Sequence, residues 1–255
     1  MNGPDRETVT AAPPTRQIYL DYNASTPIAP EVGVLMREVM DGPFGNPFSL
    51  HWANVPAREI VEKARGKAAG LLRCAPEEIV FTSGGSEANN LALKGTFFTS
   101  TRARRQMITT QVEHPAIVEP CRFLERLGAR ITWLPVDGTD QINPDDLRLA
   151  IIGDTVLISV THANNEVGTI QPIEDCAVIA RGHGIPFHTD AAQYVGKIPT
   201  RVDRLGVDLL TIAGHKLYAP KGVGALYVRT GIDLEPLVHG AGHENGRRAG
   251  TESAF

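Results

Sequence analysis

Apolar residues are grouped along the chain in two ways. Seven short runs, at 79–82, 107–110, 131–134, 156–160, 186–189, 209–212 and 225–228, are rich in Val, Ile and Leu. Runs this short, apolar on both faces, predict buried β-strands. Between most of them lie longer segments with helical spacing, at 86–97, 116–127, 144–151 and 173–181. Two more precede the first strand. One, at 31–40, places Val32, Leu35, Met36 and Val39 on one face. The other, at 56–72, places Ile60, Val61, Ala64, Ala68, Leu71 and Leu72 on one face, with Glu and Lys opposite. Strand alternating with helix predicts an α/β fold: a mainly parallel seven-stranded sheet with helices on both faces. The last connection, 216–224, is too short for a helical crossover, so the seventh strand is expected antiparallel to the sixth.

Composition adds bounds to this picture. The chain has 255 residues, 42% hydrophobic and 21% charged, ordinary for one large globular domain. A net charge of -4 implies no general attraction to nucleic acid or to an anionic membrane. No apolar run approaches the ~18 residues that span a bilayer. Cys74, Cys121 and Cys176 are odd in number and widely spaced. They form neither a zinc pattern nor a disulfide framework, as expected of a reducing, cytoplasmic setting. Residues 1–16 carry no hydrophobic signal core and are expected to be a disordered tail, leaving 17–255 as the folded domain.

In a parallel sheet, ligands bind beyond the carboxyl ends of the strands, so the loops after the strands are where chemistry is expected. Ser83-Gly84-Gly85-Ser86-Glu87 opens a helix after the first strand. It serves either as a phosphate cradle of free backbone N–H groups or as a glycine turn with Ser86 as a plain N-cap. It is not a Walker loop, and the spacing of a dinucleotide fingerprint is missing. After the second strand, His114 before Pro115 can stack on an aromatic ligand or simply enter a helix. Asn164-Asn165 after the fourth is a turn whose amides can reach a ligand. Asp190 ends the fifth strand, with Gln193 one helical turn on. A carboxylate in such a crevice calls for a cationic partner, unless it is only an N-cap. After the sixth strand come His215 and Lys216, in a Pro/Gly-rich turn. A lysine partly desolvated there gains a nucleophilic amine, unless it is an ordinary solvated loop residue. A phosphate cradle, a ring-stacking imidazole, an acid for a pyridinium, an amide for a phenolate and an amine for an aldehyde together match pyridoxal 5′-phosphate.

The chain resembles the class V aminotransferase group, and within it the NifS-like cysteine desulfurases. The resemblance is carried by LDYNASTP (20–27), GNPFSLH (45–51), FTSGGSEANNLALKG (81–95), VEHPA (112–116), ANNEVGTIQP (163–172), HTDAAQYVGK (188–197), GHKLYAPKGVGALYVR (214–229) and HGAGHENGRRAGTE (239–252). It implies the large domain of the fold type I pyridoxal-phosphate enzymes. By position it assigns Lys216 to the covalent bond with the cofactor aldehyde, His114 to ring stacking and proton transfer, and Asp190 to the pyridinium. Gln193 and Asn165 fall to the phenolic side; Gly85, Ser86 and His215 fall to the phosphate. Thr251 would reach the cofactor of a second subunit, implying a homodimer with shared sites. Ala213 departs from the many relatives that place a phosphate-binding serine there, a difference of ~1.5–3 kcal/mol if the contact is lost. The implied activity converts L-cysteine to L-alanine and carries sulfur away as an enzyme persulfide, for a scaffold or acceptor protein. The persulfide cysteine and the arginine for the substrate carboxylate are expected beyond residue 255, in a second, smaller domain. Siblings with the same pattern include selenocysteine lyases, aminotransferases and epimerases. A remnant that only binds cofactor or dimerises is the reading of another class.

Overall fold

The computed structural model describes residues 17–101 and 105–254. The expected tail at 1–16 and the final Phe255 lie outside the described residues.

The strands are β1 Ile79–Thr82, β2 Gln106–Thr110, β3 Arg130–Leu134, β4 Thr155–Thr161, β5 Phe187–Asp190, β6 Leu209–Ala213 and β7 Gly224–Val228. They form one sheet in the order β1-β7-β6-β5-β4-β2-β3. β7 is antiparallel to both neighbours, and the other pairings are parallel. β1 to β6 therefore all point one way, and their carboxyl ends share one edge.

The helices are α1 Pro30–Met40, α2 Asn54–Leu72, α3 Gly85–Thr99, α4 Pro115–Glu125, α5 Pro144–Ala150, α6 Ile173–Gly182 and α7 Val202–Leu205. Alternation along each strand divides the core in two. Val80, Met107, Leu157, Leu209, Leu226 and Val228 pack with Leu91 and Ala92 of α3 and with Ile117, Cys121 and Leu124 of α4. Ile79, Ile108, Ile158, Leu210 and Tyr227 pack on the other side with Leu72, Leu147, Cys176 and Leu205, from α2, α5, α6 and α7. Each fully buried aliphatic side chain contributes roughly 1.5–3 kcal/mol, so both helical layers are held firmly to the sheet.

Two helical faces differ from expectation. α2 buries the row Ala57, Val61, Arg65, Ala69 and Leu72, while Leu71 is exposed and Ile60 only half-buried. A charged residue thus sits in the middle of the inward face. Arg65 Nη1 and Nη2 donate to the two Glu244 carboxylate oxygens, at 2.7 and 3.1 Å, and Nη1 donates to the Ile79 carbonyl at 2.8 Å. With its charge paired and its donors engaged, the arginine is stable there. In α1 only Val39 is buried; Leu35 of the predicted apolar face is open, as is Val34. The short α7, ended by left-handed Gly206, had no signal above the loop around it.

Candidate active site

A cavity of about 640 Å³ opens at the carboxyl edge of the sheet. It is lined from β1 by Gly85 and Ser86, from β2 by His114, from β4 by Asn165, from β5 by Asp190 and Gln193, and from β6 by His215 and Lys216. Eight of the nine sequence-predicted residues therefore meet in one crevice. Thr251 does not line it; it is exposed on the C-terminal segment.

The fifth-strand acid lies at the centre. Asp190 is 6% exposed, and its carboxylate accepts from Asn89 Nδ2 at 2.7 Å and from the Ala192 amide at 3.0 Å. Burial raises its pKa above the usual carboxylate range. The Ala192 and Asn89 hydrogen bonds, then the charges of His114 and Lys216, pull the other way. A buried acid of this kind is stabilised in its charged form by a cation brought into the crevice. The residues after it form a turn rather than a helix, so Gln193 reaches the crevice through turn geometry and not helical spacing. The Ala191 amide donates to the Thr211 carbonyl at 3.2 Å and anchors this turn to β6.

Lys216 closes a 3₁₀ turn, Gly214–Lys216, directly after β6. Its Nζ donates to the backbone carbonyls of Asn23 and Ala24, the latter at 3.0 Å. Burial, and then the charge of Lys197, lower its pKa, while Asp21 and Asp190 oppose them. The result is an amine that loses its proton more readily than a free lysine, which is the state a nucleophile needs. Beside it, His215 is also lowered by burial and by Lys216, Lys221 and His114. Its carbonyl accepts from both the Thr26 amide and the Thr26 hydroxyl, each at 2.9 Å.

His114 is the N-cap of α4, with Pro115 at the first position. Its Nδ1 accepts from the Ala116 amide at 3.0 Å, which leaves Nε2 as its donor nitrogen. The helix-entry role and the crevice-lining role thus coexist in one residue. Asn164 makes the turn, its Oδ1 accepting from Glu166 and Val167 amides, and leaves Asn165 to line the crevice.

At the start of α3 the N-cap is Gly84, not Ser86, with φ 149° and no side-chain cap. The first-turn N–H groups of a helix have no intrahelical partner, and here they open on the crevice. Gly85 permits close approach: a Cβ there would lie 3.2 Å from Ala213 Cβ. Glu87, an acid beside this anion-suited end, is engaged by the Ser83 amide at 2.7 Å and by Arg248 at 2.5 Å.

Four contributing residues had no role assigned from sequence. Asn89 binds Asp190 across 101 positions, a pairing with no local signal. Asn23 and Ala24 bring the segment before α1 into the crevice. Glu113, one residue before His114, is buried and accepts from Thr110 at 2.9 Å and from the Thr161 amide at 2.8 Å. Burial pushes its pKa up to about 8.

The family model for class-V aminotransferases matches residues 18–250. Cysteine desulfurase IscS of Dictyoglomus turgidum is 52% identical over 238 residues, 93% of this chain and 60% of that protein. The mitochondrial cysteine desulfurase of Arabidopsis thaliana is 45% identical over 92% of this chain and 53% of its own length. Among solved structures, one described as SspA in complex with cysteine superposes with a TM-score of 0.90 at 43% identity, covering 92% of this chain and 69% of that one. A NifS-like protein superposes at 0.91 with 38% identity, covering 94% and 66%. The chain spans about 50–60% of the length of the curated relatives it matches.

Proposed function

The chain belongs to the class-V aminotransferase family, and on that premise we propose that residues 17–255 are the pyridoxal-phosphate-binding large domain of a cysteine desulfurase. The observation that carries this reading is the convergence of Lys216, Asp190 and His114 on one cavity. The residues fit the cofactor by chemistry. Asp190 is a buried acid in want of a cation, the α3 N-terminus suits a phosphate, and Lys216 offers an amine of reduced proton affinity.

When bound, pyridoxal 5′-phosphate supplies an electron sink for bonds broken at the substrate α-carbon. Lys216 Nζ would hold the cofactor at its aldehyde, and the same amine, in its neutral form, would accept a proton from the substrate α-carbon. Asp190 would keep a proton on the ring nitrogen, His114 would lie against the ring, Gln193 and Asn165 would serve its phenolic oxygen, and Gly85, Ser86 and His215 would hold the phosphate. Relatives and a neighbouring structure named for cysteine support L-cysteine as the substrate, with L-alanine released and sulfur carried on an enzyme thiolate.

None of the three cysteines is suited to that last role. Cys121 and Cys176 are buried, Cys74 is half-buried, and burial pushes their thiols up to about 12, 12 and 11. An attacking thiolate needs the opposite environment. The chain alone is therefore expected to bind cofactor without completing sulfur transfer. A cytoplasmic homodimer is part of the reading, with Thr251 serving the partner's cofactor and a scaffold protein accepting sulfur. Open apolar side chains at Phe44, Leu50 and Trp52 support the second copy. No helix among the described residues is long and apolar enough to cross a membrane.

The test is product analysis with pyridoxal 5′-phosphate and L-cysteine. The chain should perturb the cofactor absorption on adding L-cysteine yet release no alanine catalytically. A longer chain bearing an exposed cysteine should release alanine and deliver sulfur. Catalytic alanine release by the chain alone, or amino transfer to a keto acid, would contradict the proposal.

A further inference from the structure

Lys197 lies outside the crevice lining, yet three of its neighbours belong to it. It ends the turn that follows β5, its amide bonding the Tyr194 carbonyl at 3.1 Å. Its ammonium donates to Gln193 Oε1 at 2.6 Å and to Asn23 Oδ1 at 3.1 Å. Gln193 Nε2 in turn donates to the Asn23 carbonyl at 2.8 Å, the same oxygen that Lys216 Nζ approaches. Two ammonium groups thus meet one asparagine, Lys197 at its side chain and Lys216 at its backbone.

We propose that Lys197 is a positioning residue for this site, fixing the amide of Gln193 and favouring the neutral amine at Lys216. An ammonium has only donors, so it accepts one orientation of the neighbouring amide, with Oε1 towards it. A flipped Gln193 would set N–H groups against N–H groups. Held this way, Nε2 donates to the Asn23 carbonyl on the crevice lining and keeps a second N–H, which suits an oxygen anion on a ligand and not another donor. The charge of Lys197 acts on Lys216 as well. Asp21 from the segment before α1 and Asp190 from β5 favour the protonated amine, and burial and Lys197 oppose them; His215, adjacent on the same turn, and His114 are the other titratable groups on the cavity lining beside it. The cofactor-dependent part of this proposal rests on the reading above; the part concerning the amine does not.

The experiment is a titration of Lys216 in the cofactor-free chain. Reductive methylation with ¹³C-formaldehyde labels the lysines and keeps their charge, and the Lys216 signal is identified by its loss in Lys216→Arg. Lys197→Met should raise the Lys216 midpoint, and Lys197→Arg should leave it where the wild type has it. An unchanged midpoint in Lys197→Met overturns the proposal. So does an equal rise in both variants, because it would trace the effect to lost packing and not to charge. In the protein loaded with pyridoxal 5′-phosphate, the pH at which the Lys216-linked absorption band changes should move upward in Lys197→Met as well. Absence of that band in the wild type would count against the cofactor reading, while the cofactor-free titration still decides the role of Lys197.

Discussion

Replacing Asp190 with Asn keeps the side chain's shape and removes its charge. The carboxylate is 6% exposed and accepts two hydrogen bonds, from Asn89 and Ala192. Opposite the protonated ring nitrogen of the proposed cofactor it would form a buried ion pair, and removing one partner of such a pair costs about 3–5 kcal/mol. At ~1.4 kcal/mol per tenfold, that weakens pyridoxal 5′-phosphate between roughly a hundredfold and a few thousandfold. The cofactor-free fold should change much less. Asn keeps an acceptor for the Ala192 amide, loses a charged hydrogen bond of roughly 1.5–3 kcal/mol from Asn89, and gains relief from burying a charge. Equilibrium titration with the cofactor, followed by absorption, measures the first effect; urea unfolding of the cofactor-free chain measures the second. Cofactor affinity within threefold of the wild type, at unchanged stability, would refute the pairing of Asp190 with a cation.

Two further outcomes concern the structure around the site. Glu113 has its pKa raised from 4.5 to about 8 by burial. Between those values the folded chain holds a proton that the unfolded chain has lost, so this group's contribution to stability falls as pH climbs from about 4.5 through about 8. Glu113→Gln should therefore gain on the wild type across that interval in melting temperature against pH, and parallel curves would contradict it. His162 and His188, both lowered to about 3 by burial, act in the other direction, losing stability as pH falls below 6.5, and are common to both proteins. Arg65→Met leaves Glu244 buried without its partner and should cost about 3–5 kcal/mol in urea unfolding; a loss under about 1 kcal/mol would show the pair to be dispensable.

How much of this was legible in the chain follows from the range of each interaction. Strand runs and helix spacing are local, and each of the seven strands lies where its apolar run predicts, with β7 antiparallel as its short connection requires. Eight predicted ligand-facing residues meet because each sits at a strand exit, and strand exits share an edge in a parallel sheet. What local pattern missed was decided at long range. Arg65 reads as a surface residue until Glu244, 179 positions on, supplies its counter-charge. Asn89 and Asn23 act on residues more than 100 positions away. Ser86 resembles an N-cap, but the helix begins one residue earlier, at Gly85, with Gly84 in a conformation that favours glycine.

The central claim is that Lys216 carries the cofactor, and it can be read directly. The chain is incubated with pyridoxal 5′-phosphate, reduced with borohydride, digested and analysed by mass spectrometry. A single reduced phosphopyridoxyl adduct should appear on the peptide containing Lys216 and vanish in Lys216→Ala. An adduct of equal yield on Lys197 or Lys221, or one that survives Lys216→Ala, would contradict the account.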